Sequence, residues 1–312
     1  MSTGAPALAR ATSVRPPREA YGRILLLAGL VVPASLIAIL ALLIKGSALS
    51  IGTFGPGFVV AREWDPVHLH FGALTFIYGT FVSSIIGLLL ALPIGIAVAV
   101  FLAEPGLGWL KGPIGIGVEM LAAIPSVVYG LWALFVMAPW VYLHISSPAS
   151  ERLGRFPVFA PDAQQASMLA GALVLTIMIL PSLAAVSRDV IRAVPREMRE
   201  ASYALGTTWW ETTWRIVLPA ARAGIFGAVI LAFGRAVGET IAVTMVIGNR
   251  PSITASVVQP AYTMASVIAN EFTEATVPLH ISSLIEIGLL LILITLALNL
   301  GALLLIRSVK RL

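Results

Sequence analysis

Ionisable side chains drop out of this sequence in long runs, and those runs set its architecture. Ile24–Ile44 contains none over 21 residues, and at about 1.5 Å per residue a helix of that length covers the roughly 30 Å of bilayer hydrocarbon. Phe71–Ala103 is free of charge over 33 residues and contains Pro93. That is more than one perpendicular crossing needs and less than two with a turn, so the pattern predicts one long, tilted, kinked helix. Further crossings are predicted near Glu119–Val141, Met168–Val186, Gly224–Ile247 and Ser283–Ile306, making an all-α integral membrane protein of six transmembrane helices. Residues 248–282, with Pro251, Pro260, Glu271, Glu274 and His280, read as an outside loop with room for one short helix. The first apolar run is too long for a signal-peptide core and runs directly into Lys45, so it is assigned as a retained crossing.

Composition agrees with a lipid solvent. Hydrophobic residues make up 58% of the 312 and charged residues 11%, against about 45–50% and about 25% in soluble domains. With 0 Cys, disulfides, thiolate metal sites and cysteine nucleophiles are excluded. The four histidines (His68, His70, His144, His280) fall in predicted loops. His68-x-His70 beside Asp65 is a thin metal signal on a loop, so no metal site, cofactor or catalytic group is assigned.

The formal charge of +5 is explained by topology. Fourteen Lys and Arg fall in the tail, the second–third loop, the fourth–fifth loop and the C-terminus, against five (Lys45, Arg62, Arg152, Arg155, Arg250) on the other side. The positive-inside rule then places both termini in the cytoplasm, and no nucleic-acid partner is needed. Residues 1–23 read as a disordered cytoplasmic tail, 24–44 as the first crossing, 45–70 as a periplasmic loop and 307–312 as a basic cytoplasmic end.

Residues 187–223 form the longest inside loop and carry helix formers with clear punctuation. Pro195 suits a first helical turn, Arg196–Leu205 is a helix-forming run, and Gly206 can end it through a left-handed cap. A second short helix is expected to start at Thr207/Thr208 and to stop before Pro219. Two short helices at a glycine corner make a knob that a soluble partner can grip. No Gly-x-x-x-x-Gly-Lys-Ser/Thr string occurs, so the chain has no phosphate-cradling loop of its own.

The string Glu200-Ala201-Ser202, three residues, Gly206, nine residues, Ile216, one residue, Leu218-Pro219 resembles the EAA loop of ABC importer permeases. Ser202 is the one departure, standing where that family has a second alanine. The fifth crossing (GAVILAFGRAVGETIAVTMVIGN), with AIPSVVYG, FLAEPG and SVIANEF, is similar to phosphate-importer permeases of the PstC type, over about residues 70–306. The resemblance implies an ABC type-I importer permease fold over 71–306, with a coupling loop at 187–223. It further implies a homologous permease partner of the PstA type, a separate ATPase of the PstB type that carries ATP hydrolysis, a periplasmic phosphate-binding protein of the PstS type, and a place in the bacterial plasma membrane.

Arg235 and Glu239 lie at i,i+4 spacing in the predicted fifth crossing. A charge inside the bilayer costs at least about 2.5–3.5 kcal/mol, so both are expected to face the protein interior or a wet cavity. Two readings stand: a mutual ion pair that fixes packing, or a phosphate contact with Arg235 as the planar donor fork and Glu239 orienting it or accepting the proton of a phosphate oxygen, which sulfate lacks. Gly238 allows close approach or an opened backbone, and Pro125-Ser126 with Tyr129-Gly130 can break the third crossing and aim donors at an anion. Arg235, Glu239, Gly238 and Ser126 are the candidate substrate path. A same-fold permease for sulfate or molybdate, and an ATP-independent secondary transporter, are the alternatives.

Overall fold

The computed structural model describes residues 18–104 and 108–309, with side chains from 21 to 304. The expected tail over 1–17 and the last basic residues, 310–312, lie outside the described residues. Among the described residues, six helices are long and apolar enough to cross a membrane, as the charge-free runs predict. Their ends differ from the expected ones in instructive ways.

Helix α1 (Arg18–Phe54) opens inside the expected tail and continues ten residues beyond the crossing expected at 24–44. The chain divides into two units at Lys45/Gly46; from Arg18 to Lys45 the first is a single helix with apolar side chains exposed along it. From Gly46 on, the helix persists where a periplasmic loop from residue 45 was expected. The cause is a set of serines: Ser282 Oγ donates to the Gly46 carbonyl at 2.8 Å, Ser50 N–H donates to Ser282 Oγ at 3.0 Å, and the Ser50 and Ser283 hydroxyls meet at 3.1 Å.

A short helix, α2 (Gly57–Val60), and a two-stranded hairpin, β1 (Trp64–Asp65) with β2 (His70–Phe71), follow. The strands pair antiparallel, Trp64 opposite Phe71. Asp65 closes the turn, accepting from the Val67 and His68 N–H groups at 2.8 and 3.2 Å while its second oxygen meets His68 Nδ1 at 2.6 Å. His68 is thereby a turn residue. Trp64, Phe71 and Phe76 pack edge to face, and His280 stacks on Phe71 while its Nε2 contacts Glu271 at 3.1 Å.

Helix α3 (Leu74–Ala103) is one unbroken crossing containing Pro93. Then come α4 (Gly108–Ala123), α5 (Ser126–Leu153) and α6 (Met168–Arg192). The third crossing, expected at 119–141, is therefore α5, and Glu119 belongs to the preceding helix. Next are α7 (Arg196–Ala204), α8 (Trp209–Val237), α9 (Ile241–Val246), α10 (Met264–Glu271) and α11 (Pro278–Val309). Helix α10 is the short helix that the 248–282 segment had room for.

The second short helix does not stop before Pro219. It runs straight into the fifth crossing, because a π-helical turn at Thr213–Val217 lets Leu218 N–H reach back to the Thr213 carbonyl. The wider turn makes room for a pyrrolidine ring that would press on the carbonyl four residues back in a regular α-turn. The same device occurs twice in α5, at Ala133–Met137 before Pro139 and at Tyr142–Ser146 before Pro148. Proline here widens helices without ending them.

The core forms around α3 and α6, the most buried crossing. Small residues let the two backbones approach: Gly87 sits against Leu175 and Ala172, Gly95 against Leu183, and Thr176 Oγ1 donates to the Gly87 carbonyl at 3.2 Å. Ala228, Ala232 and Ala236 line the buried face of α8. At Gly79 a Cβ would lie 2.1 Å from the Tyr262 carbonyl oxygen. Gly79→Ala is thus expected to destabilise the fold by about 1–3 kcal/mol through overpacking, read as a lower melting temperature in detergent.

Candidate functional site

The predicted fifth crossing is interrupted. Helix α8 ends at Val237; Gly238 is its cap, with its N–H on the Ala236 and Gly234 carbonyls, and α9 starts after Thr240. Glycine costs a helix interior about 1 kcal/mol, and Thr240 at φ −110° and ψ −68° breaks the helical run. Arg235 and Glu239 are therefore not i,i+4 neighbours on one helix face, as the spacing suggested. Arg235 is in the last turn of α8, and Glu239 lies in the break.

The break changes what each group does. The Glu239 carboxyl group is half-buried beside the N–H groups of Thr240 and Ala242 at the start of α9. Arg235 feels that charge but makes no ion pair within 4.0 Å and no hydrogen bond among the described residues. Its guanidinium is exposed and its five donors are uncommitted. Gly224 packs against Val190 near the C-terminal end of α6; Arg235 is eleven residues further along α8, about 16 Å at helical rise.

Two neighbouring elements complete the surroundings. Helix α5 begins at Pro125, whose ψ of 143° makes the break expected at Pro125-Ser126. Tyr129 OH donates across it to the Leu121 carbonyl at 2.8 Å. Gly130 lies against α9, where a Cβ would sit 2.5 Å from the Met245 sulfur and 3.1 Å from Ala242 Cα. Ser126 is half-buried in the first turn of α5 and bonds to neither Arg235 nor Glu239. From α11, Asn299 brings its Oδ1 to 3.8 Å from where a Gly234 Cβ would be, one residue before Arg235. Sequence reasoning missed Asn299; its signal is a lone amide in an apolar run. Glu286, also on α11, is buried, with Oε2 unpartnered among the described residues.

The second constellation is the corner between α7 and α8. Pro195 precedes α7, Gly206 turns the chain at φ +83°, and Thr208 caps α8 in a reciprocal capping box with Glu211. Ser202 explains its own departure from alanine: its buried hydroxyl meets Thr207 Oγ1 at 2.7 Å and Thr212 Oγ1 at 2.9 Å, and those two meet at 2.9 Å. Glu200 and Ala201 are exposed on α7. Ile216, in the π turn, is half-buried, as is Leu218, while Pro219 is exposed. The corner is thus a rigid knob with an open outer face.

Residues 91–311 match the family described as binding-protein-dependent transport system inner membrane component. The phosphate transport system permease protein PstC of Pasteurella multocida is 43% identical over 281 residues, 88% of each chain. The PstC of Mesorhizobium japonicum is 45% identical over 257 residues, 81% of this chain and 79% of its own. PstC 1 of Mycobacterium tuberculosis is 36% identical over 268 residues, covering 83% and 79%. Among solved structures, an inward-facing form of the MetNI methionine ABC transporter superposes with a TM-score of 0.55 at 18% identity, over 76% of this chain and 94% of that one. At that identity the likeness concerns the fold alone.

Proposed function

This chain belongs to the binding-protein-dependent transport system inner membrane components, and on that premise we propose that it is the permease subunit of an ATP-driven importer carrying inorganic phosphate inward across the bacterial plasma membrane. The observation that carries the substrate reading is Arg235: a guanidinium with free donors at a helix break inside a membrane-crossing segment. A planar fork of donors matches a phosphate oxyanion, and the relatives reported above bear phosphate in their names. Glu239, anchored by backbone N–H groups, adds the acceptor that a protonated phosphate oxygen requires and that sulfate cannot satisfy. Gly238 keeps the break open, and Ser126 at the start of α5 is assigned to the same path.

ATP hydrolysis belongs to a separate subunit of the PstB type, which grips the α7–Gly206–α8 corner through Glu200, Ala201 and Gly206, while buried Ser202 holds the corner in shape for that coupling. Ile216, Leu218 and Pro219 carry its motion into the fifth crossing. A homologous permease of the PstA type completes the pathway, and a phosphate-binding protein of the PstS type delivers substrate from outside. The basic residues clustered at the α7 end support a cytoplasmic location for that end and for both termini.

Orientation and coupling are tested together. The chain has 0 Cys, so a single cysteine at exposed Met198 reports its side directly. In right-side-out vesicles it should resist a membrane-impermeant maleimide, react once the vesicles are opened, and be protected when the ATPase subunit is bound. Labelling from outside would overturn the orientation. Labelling unaffected by the ATPase would overturn the docking assignment.

A further inference from the structure

Glu104 ends α3 with 1% of its surface exposed, and it is paired with a residue far away in sequence. Its Oε1 meets Arg199 Nη2 at 2.8 Å. Arg199 sits on α7, and its fork does more than neutralise the acid: Nη1 donates to the Val194 carbonyl at 2.6 Å and Nη2 to the Ile191 carbonyl at 2.9 Å. One guanidinium therefore caps the end of α6 and holds the end of α3 at once. Two further cations bind the same turn of α3, Arg192 on the Leu102 carbonyl at 2.7 Å and Lys111 on the Glu104 carbonyl. Beneath them Ala99, Ile191, Val194, Val217 and Ala221 form a small apolar cluster. Glu104 Oε2 is buried without a partner among the described residues, beside a cavity of about 580 Å³ lined by Lys111, Arg192, Arg196 and Glu200.

This arrangement has a mechanical meaning. Helix α7 is joined through the backbone to α6 on one side and, past Gly206, to α8 on the other; the pair Glu104–Arg199 is its ion pair to α3. Since α3 and α6 pack along their length as the centre of the fold, a push on α7 reaches them without slack while that pair holds. We propose that Glu104 and Arg199 are positioning residues forming the joint that transmits ATPase-driven motion of α7 to α3 and α6. The proposal rests on the reading of α7 as a coupling helix and adds which side chains make the coupling productive.

The test uses the assembled transporter. Glu104→Gln and Arg199→Gln should each leave the ATPase bound and hydrolysing while lowering phosphate imported per ATP by about tenfold, as loss of one member of a buried charge pair disables the other. The double variant should be no worse than Arg199→Gln alone, because Glu104→Gln removes only the ion pair that Arg199→Gln already breaks. A purely structural role would leave the phosphate-to-ATP ratio unchanged, and that outcome overturns the proposal. Loss of the ATPase subunit from either variant, or multiplying losses in the double variant, also overturns it.

A second readout does not depend on the substrate. Spin labels on cysteines at Ala97 of α3 and Met198 of α7 should keep one distance through ATP binding in the parent, and should spread in Glu104→Gln. Equal distance changes in both would refute the joint. If the parent complex imports no phosphate, the substrate reading fails while the spin-label distances still decide the joint.

Discussion

Arg235→Gln is expected to lower phosphate uptake by about two to three orders of magnitude, while the protein remains in the membrane at its normal level. Truncating one partner of a charged contact that is desolvated when the anion binds costs about 2–5 kcal/mol, and each 1.4 kcal/mol is tenfold. Stability should change little, because Arg235 makes no hydrogen bond or ion pair among the described residues and its side chain is exposed. Arg235→Lys should recover only part of the activity: it restores the charge but loses the planar fork. Initial rates of labelled phosphate entry, normalised to permease content, decide the matter. Uptake within twofold of the parent would remove Arg235 from the path.

Gly248→Ala is expected to have the largest effect on stability. Gly248 has φ +94°, and a Cβ there would lie 2.6 Å from Pro260 Cβ and 3.0 Å from the Ala166 carbonyl oxygen. A left-handed conformation costs a non-glycine residue about 1–2 kcal/mol, and overpacking adds about 1–3 kcal/mol. The position also has a functional consequence. Ala261 N–H donates to the Ile247 carbonyl and Arg250 N–H to the Ala261 carbonyl, so this turn fixes the far end of α9 and with it the helix that anchors Glu239. The melting temperature in detergent should fall by about 5–15 °C. Gly117→Ala is the matched control, since nothing lies within 4 Å of its would-be Cβ, and it should be neutral or slightly stabilising.

The six crossings were legible because charge is excluded from hydrocarbon, and that exclusion leaves a pattern in the sequence itself. The α7–α8 corner was legible for a different reason: Pro195, Gly206 and Thr208 each impose a local backbone preference. What escaped was set by tertiary packing. The break at Gly238 lies within an apolar run that reads as continuous helix, and it exists because α9 seats against α5 at Gly130. The prolines at 139, 148 and 219 look like helix stops, yet π turns absorb them. Glu104 and Arg199 are 95 residues apart, and no local pattern pairs them.

The break also revises how the charged pair is understood. On a continuous helix, Arg235 and Glu239 would stand at i,i+4 spacing, and part of the guanidinium would be committed to the carboxylate. With the helix interrupted after Val237, the carboxyl group sits beside the Thr240 and Ala242 N–H groups and the guanidinium makes no ion pair among the described residues. An interrupted helix beside an uncommitted arginine is an arrangement by which a membrane protein can bind an anion without burying it among lipid tails.

The most direct measurement of the central claim is uptake of labelled phosphate into liposomes containing this chain with its partner permease, ATPase and binding protein, with and without ATP and with sulfate in excess. The account predicts entry that requires ATP and is indifferent to sulfate. Entry that continues without ATP or without the ATPase would contradict the importer mechanism, and strong competition by sulfate would contradict the assignment of phosphate as the substrate.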